Sequence, residues 1–176
     1  SGLIETADLI FVIAPRINAA GRLQHASIAV ELLINNAKEE VISKANQIED
    51  LNSQRKKIDK QITNEALAIL ADQPKDKFTS VVYQPHWHKG VVGIVASRLT
   101  ETYYRPTIVL CKDGDLITGS VRSVKGFDIY EILVGIEDLF IKFGGHQYAA
   151  GLTISADRLE ELKERFENAV KHKIGK

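Results

Sequence analysis

The chain has 176 residues, room for one ordinary domain and part of another. Apolar residues make up 44% and charged residues 26%, the balance of a globular protein, and no run approaches the roughly 18 apolar residues of a membrane span. Formal net charge is zero, which excludes whole-molecule attraction to a polyanion; a nucleic-acid site has to be a local cluster of Arg, Lys and backbone N–H groups.

A single Cys111 cannot form an internal disulfide and suits a reducing, cytoplasmic setting. No basic-then-apolar leader opens the sequence. There is no Met, so the chain is expected to be cut from something longer.

Residues 1–36 run from a short apolar stretch, Leu9 to Ile13, through Pro15-Arg16-Ile17-Asn18-Ala19-Ala20-Gly21-Arg22 into a helix-like stretch, Ile28 to Ile34. This segment is too short to be a domain and reads as the tail of one that precedes it. Residues 37–74 read as one long helix. Asn36 followed by Glu39 suits an N-cap with a reciprocal partner. Apolar residues recur at Val41, Ala45, Ile48, Leu51, Ile58, Ile62, Ala66 and Ile69, and Pro74 suits a stop. About 35 residues at 1.5 Å each is roughly 50 Å. Because Arg55-Lys56-Lys57 interrupts the stripe, a strut between domains is favoured over a coiled coil.

Residues 77–176 alternate strands and helices. Strands are expected at Thr79 to Tyr83, Thr107 to Leu110, Leu116 to Arg122 and Ala149 to Ile154. Helices are expected at Val91 to Thr102, Asp128 to Leu133 and Asp157 to Lys171, the last capped by Asp157; Asp113-Gly114 signals a turn. The fold class is therefore α/β, a long connecting helix followed by a compact mixed-sheet α/β domain.

Four clusters could carry chemistry. Arg16 and Arg22 flank small residues, and two guanidinium forks there could take phosphate; from this window alone a proline-started loop with arginines facing water is the favoured reading. His86-Trp87-His88-Lys89-Gly90 precedes a helix, where backbone N–H groups could seat an anion, or it is an ordinary turn over a packed Trp87. No second Cys or obvious carboxylate partner supports zinc there. In Gly119-Ser120-Val121-Arg122-Ser123, Ser120 and Arg122 project from one face if the segment is extended, a pair suited to phosphate; an edge strand with a polar face fits as well. Phe143-Gly144-Gly145-His146-Gln147 crowds small residues around His146, either a close approach to a ligand or a tight turn packed on a sheet.

In this order, Pro-Arg-Ile-Asn-Ala-Ala-Gly-Arg-Leu, Trp-His-Lys-Gly-Val-Val-Gly-Ile-Val-Ala-Ser-Arg-Leu, Gly-Ser-Val-Arg-Ser and Phe-Gly-Gly-His-Gln-Tyr-Ala-Ala-Gly-Leu resemble the RecJ family, single-strand-specific exonucleases of the DHH phosphoesterase superfamily. The resemblance covers almost the whole chain. It implies that residues 1–36 end the catalytic domain, that 37–74 connect, and that 77–176 form the DHH-associated substrate-binding domain. It also implies hydrolysis of single-stranded DNA from the 5′ end with Mn²⁺ or Mg²⁺. No Asp-His-His occurs here, so the metals are expected on the missing upstream domain and this fragment is expected to be inactive alone. By the same resemblance, Ser120 and Arg122 would hold a phosphate of the strand, His146 with Gly144 and Gly145 would line the cleft, and His88 and Arg16 would lie along the nucleotide path. The implied partners are single-stranded DNA and the DHH catalytic domain of the same protein, with no membrane. The alternatives are a DHH-family phosphodiesterase acting on short oligonucleotides or cyclic dinucleotides, and a non-catalytic nucleic-acid-binding or interaction module.

Overall fold

The computed structural model describes residues 3–175, which divide into two compact units within the long helix, between Ile58 and Asp59.

The first unit is helical from Thr6. Helix α1 (Thr6–Asp8) passes into a π-helical turn, Leu9–Ile13, and then into α2 (Ala14–Leu23). The expected loop at Pro15–Arg22 is thus a helix. Pro15 follows directly on the wider turn, which ends with Ala14 N–H donating to the Leu9 carbonyl, so the proline stands where the helical bonding pattern already changes from π to α. Helix α3 (Ser27–Ile34) follows. Ile28 and Ala29 bury against Ala20, Ile48 and Leu51. In the apolar stretch that precedes α2, Leu9, Ile10, Phe11 and Val12 are all exposed.

Helix α4 spans Lys38–Ala71. Its start is held one residue earlier than expected: Asn35, and not Asn36, accepts the Ala37 N–H at 2.8 Å and donates to Glu40. The buried stripe also differs from the apolar count. Ala45 is exposed, Leu70 is buried in place of Ile69, and Asn52 and Asp59 lie within the stripe. Asp59 is tolerated because Arg98 donates to it at 2.8 Å.

The second unit is a five-stranded mixed sheet in the order β1-β2-β3-β5-β4. The strands are β1 (Ser80–Tyr83), β2 (Thr107–Asp113), β3 (Leu116–Arg122), β4 (Lys142–His146) and β5 (Ala149–Ser155). Only β1–β2 pair parallel, connected through α5 (Val92–Tyr103); the other pairs are antiparallel. Strand β3 alternates strictly between buried and half-buried residues, the period-2 signature of a strand with two different faces. On one face, Ile117, Val121, Ala150, Leu152 and Ile154 bury with Ile132 and Leu133 of α6 (Ile129–Val134) and with Leu162, Phe166 and Val170 of α7 (Leu159–Ile174). On the other face lies α5.

Asp128 caps α6 as expected, accepting the N–H groups of Tyr130 and Glu131. Asp157 does not cap α7: it sits in a 3₁₀ turn, Ala156–Arg158, and the helix begins at Leu159. Glu167 of α7 instead anchors the start of β1, accepting from the N–H of Phe78 at 2.8 Å and of Thr79 at 3.0 Å. No helix among the described residues is long and apolar enough to cross a membrane.

Candidate nucleic-acid interface

The register of the sheet decides which residues share a face. Arg122 pairs with Ala149, which pairs with His146. One row along, Ser120 pairs with Gly151 and Gly151 with Gly144; the next row joins Thr118, Thr153 and Lys142. Directly opposed residues in an antiparallel ladder point the same way, so these three rows tile one face. Helix α5 covers that face over β2 and β3. Beyond it Gly151, Gly144 and His146 are exposed, leaving a bare strip of sheet with Arg122 and Ser120 at its covered border.

The Arg122 side chain is held, half-buried, by neighbours on both sides. Its Nε donates to Ser97 Oγ of α5 at 3.2 Å and its Nη1 to the Val121 carbonyl at 2.8 Å. Its Nη2 and the Ser120 hydroxyl both come within 3.1 Å of the point where a Cβ on Gly93 would stand. A guanidinium and a hydroxyl thus converge at the first turn of α5, donors of the kind a phosphate takes.

The glycines of the fourth cluster differ in their surroundings. A Cβ on Gly144 would meet nothing within 4 Å, whereas one on Gly145 would lie 2.4 Å from the Ala149 carbonyl oxygen and the Ala150 Cα. Gly144 therefore leaves open floor, and Gly145 permits β4 to approach β5. The segment is a strand and a two-residue hairpin link, not only a tight turn. Its tip is tied to the Ser123–Asp128 loop: the Tyr148 carbonyl accepts the Ser123 N–H and the Gln147 carbonyl the Ile129 N–H, each at 3.0 Å. Gly126 supplies the left-handed turn (φ +83°) that loop needs. His146 turns Nδ1 to the Tyr148 N–H at 3.4 Å.

His88 and Arg16 are not part of these rows. His88 is half-buried in the turn before α5, with Nδ1 accepting the Gly90 N–H at 3.1 Å. Beside it, Trp87 is buried and its indole N–H donates to Glu65 at 2.7 Å, with His86 on the same carboxylate at 2.9 Å. These bonds, Trp87 first, pull the Glu65 carboxyl down to a pKa of about 2. Arg16 belongs to the first unit, where it bridges Glu49 and the Val12 carbonyl.

Among the described residues, no three His, Cys, Asp or Glu side chains gather where a metal could be held. The Asp113-Gly114-Asp115 pair of carboxylates turns the β2–β3 hairpin, and Asp113 binds Lys89 at 3.0 Å. Burial pushes the Cys111 thiol up to about 11, which keeps it protonated.

Sequence reasoning missed Gly93 and Ser97 as parts of this site, although both lie within the quoted Trp87–Leu99 motif. The available signal was their spacing: small residues four apart share one helix face.

Residues 75–172 match the DHHA1 domain. This chain belongs to the DHHA1 family. It is 41% identical over 158 residues to the single-stranded-DNA-specific exonuclease RecJ of Bacillus subtilis strain 168, a match covering 89% of this chain and 20% of that protein. Crystal structures of RecJ from Thermus thermophilus in complex with Mg²⁺ and with Mn²⁺ each superpose with a TM-score of 0.86 at 32% identity, over 94% of this chain. The chain spans about a quarter of those structures, 26% and 24%. The DHHA1 match contains β1–β5 and hence the whole bare strip, while the RecJ likeness extends through α4 into the first unit.

Proposed function

We propose that this chain is the substrate-gripping part of a single-stranded-DNA-specific 5′ exonuclease acting in the cytoplasm. In this reading Ser120 and Arg122 hold the 5′-terminal phosphate. The bare floor at Gly144, with Gly145 and His146 beside it, takes the following nucleotide, and His88 and Arg16 lie further along the path. Residues 1–36 close a catalytic domain, 37–74 connect, and 77–176 bind the strand. The Mn²⁺ or Mg²⁺ that supports hydrolysis belongs, in this reading, to the part of the protein outside this chain; the RecJ structures it resembles are complexes with Mg²⁺ and Mn²⁺.

The observation that carries the reading is the convergence of the Arg122 guanidinium and the Ser120 hydroxyl beside exposed glycine backbone. With zero net charge overall, affinity for a polyanion has to come from a few such donors. The relatives' name, RecJ, supplies the substrate class.

The test is Arg122→Ala in the full-length protein. Binding of single-stranded DNA, measured without metal, is expected to weaken by about 1–3 kcal/mol, the size of a charge-assisted hydrogen bond. The loss should be larger for 5′-phosphorylated than for 5′-hydroxyl strands. Equal losses would move Arg122 to an internal phosphate; lost stability with unchanged affinity would make it a packing residue. Metal chelation should abolish hydrolysis by the full-length protein and leave binding in place. Nucleotide release by the isolated chain with Mn²⁺ would overturn the placement of the metals.

A further inference from the structure

We propose that Gly93 and Ser97 of α5 are positioning residues that aim the Arg122 guanidinium and the Ser120 hydroxyl, and thereby set the preference for a terminal phosphate over an internal one. The inference rests on the reading of Ser120 and Arg122 as the phosphate seat.

Gly93 and Ser97 lie one helical turn apart on the same face of α5. Ser97 Oγ donates to the Gly93 carbonyl at 3.2 Å, so its proton is committed to the helix and its lone pairs are presented to the sheet. One of them accepts Arg122 Nε at 3.2 Å. That bond fixes the guanidinium plane at its inner edge, and the Val121 carbonyl fixes Nη1. Nη2 and the Ser120 hydroxyl each lie 3.1 Å from the place a Cβ on Gly93 would take, so only a glycine hydrogen occupies that side of the helix backbone beside the two donors.

A methyl group on Gly93 would come within 3.1 Å of both Nη2 and the Ser120 hydroxyl. Both are ends of side chains that can rotate away, so the fold should tolerate the methyl while the donors separate. Alanine is also the better helix former, which further keeps folding intact. A terminal phosphate presents more charge and more free oxygens than a bridging one, so it gains most from donors that converge. Splaying them should cost the terminal phosphate more.

The experiment uses the full-length protein without metal and measures the ratio of affinities for 5′-phosphorylated and 5′-hydroxyl single-stranded DNA, alongside thermal melting. Arg122→Ala serves as the reference. Gly93→Ala is expected to reduce the ratio roughly tenfold, the effect of one charge-assisted hydrogen bond, without lowering the melting temperature. Ser97→Ala should reduce it about threefold, a fraction of such a bond, and Ser97→Thr, which keeps the hydroxyl, should restore it. If Arg122→Ala collapses the ratio while Gly93→Ala and Ser97→Ala leave it at the native value, the positioning role is wrong and the phosphate seat stands. If Arg122→Ala itself leaves the ratio unchanged, the phosphate seat falls and the positioning role with it. Should Gly93→Ala not fold, the Ser97 pair alone decides.

Discussion

One face of the sheet has two halves that meet along β3. Over β2 and β3, α5 covers it, and Val109 and Cys111 there are fully buried. Over β5 and β4 the same face carries Gly151, Gly144 and His146, all exposed. A single row shows the change, running from buried Cys111 through half-buried Thr118 and Thr153 to exposed Lys142. Large apolar side chains recruit a helix; glycine and alanine leave nothing for a helix to bury. The bareness of the second half is thus written into its side chains, and Arg122 stands at the border between the two halves.

Two glycines of the sheet should respond to the same substitution in opposite ways: Gly119, which pairs with Leu110 and Leu152 on the face packed against α6 and α7, and Gly144 on the bare face. A Cβ on Gly119 would lie 2.3 Å from the Val109 carbonyl oxygen, a backbone atom that cannot step aside. Gly119→Ala is expected to destabilise by about 3 kcal/mol or more in urea unfolding, the upper range for forced overpacking. A loss under about 0.5 kcal/mol, typical of open surface sites, would show that the β2–β3 approach is looser than described.

The next effect concerns the turn that leads into α5. Glu65→Gln replaces a charged acceptor for the buried Trp87 indole and for His86 by a neutral one, and should cost about 1–2 kcal/mol, the difference between charged and neutral hydrogen bonds. Because the Glu65 carboxyl is depressed, its contribution is present above its ordinary value of 4.5 and is lost as pH falls toward about 2. Trp87, the single tryptophan, reports this directly. Its fluorescence should shift in that acid window in the native protein and at no corresponding pH in the variant.

Gly144→Ala should leave stability within about 0.5 kcal/mol, as expected for open surface. If nucleotides rest on this floor, it weakens single-stranded DNA binding all the same. The smallest effect is a null reaction. Fully buried Cys111, its thiol raised to about 11, should resist iodoacetamide at pH 8 until the chain unfolds, whereas Gly144→Cys should react at once.

Much of this architecture was legible in sequence where local rules coincide with the fold. Strand β3 matched its expected span because alternation alone defines a two-faced strand, and the same alternation put Ser120 and Arg122 on one side. Asp128 was readable as a cap because capping is settled within three residues. Strand β4 was not readable. Gly144-Gly145-His146 has little intrinsic strand preference, and only pairing with β5 makes it extended. Asp157 had the right residue type for a cap, but the chain first spends a 3₁₀ turn before α7. Gly93 and Ser97 were hidden for another reason: their partners lie on β3, some 25 residues away, and spacing within one helix does not name a partner on another element.

The exposed outer edge of β4 raises a different matter, the hazard of strand edges. An unpaired edge offers its backbone N–H and C=O groups to any passing strand and so invites edge-to-edge association. Here the edge strand is five residues long, opens with exposed Lys142, and continues through two glycines that favour extended pairing poorly. The side-chain poverty that leaves one face of β4 bare also makes its edge a weak template for association, so a single choice of residues serves both openness and solubility.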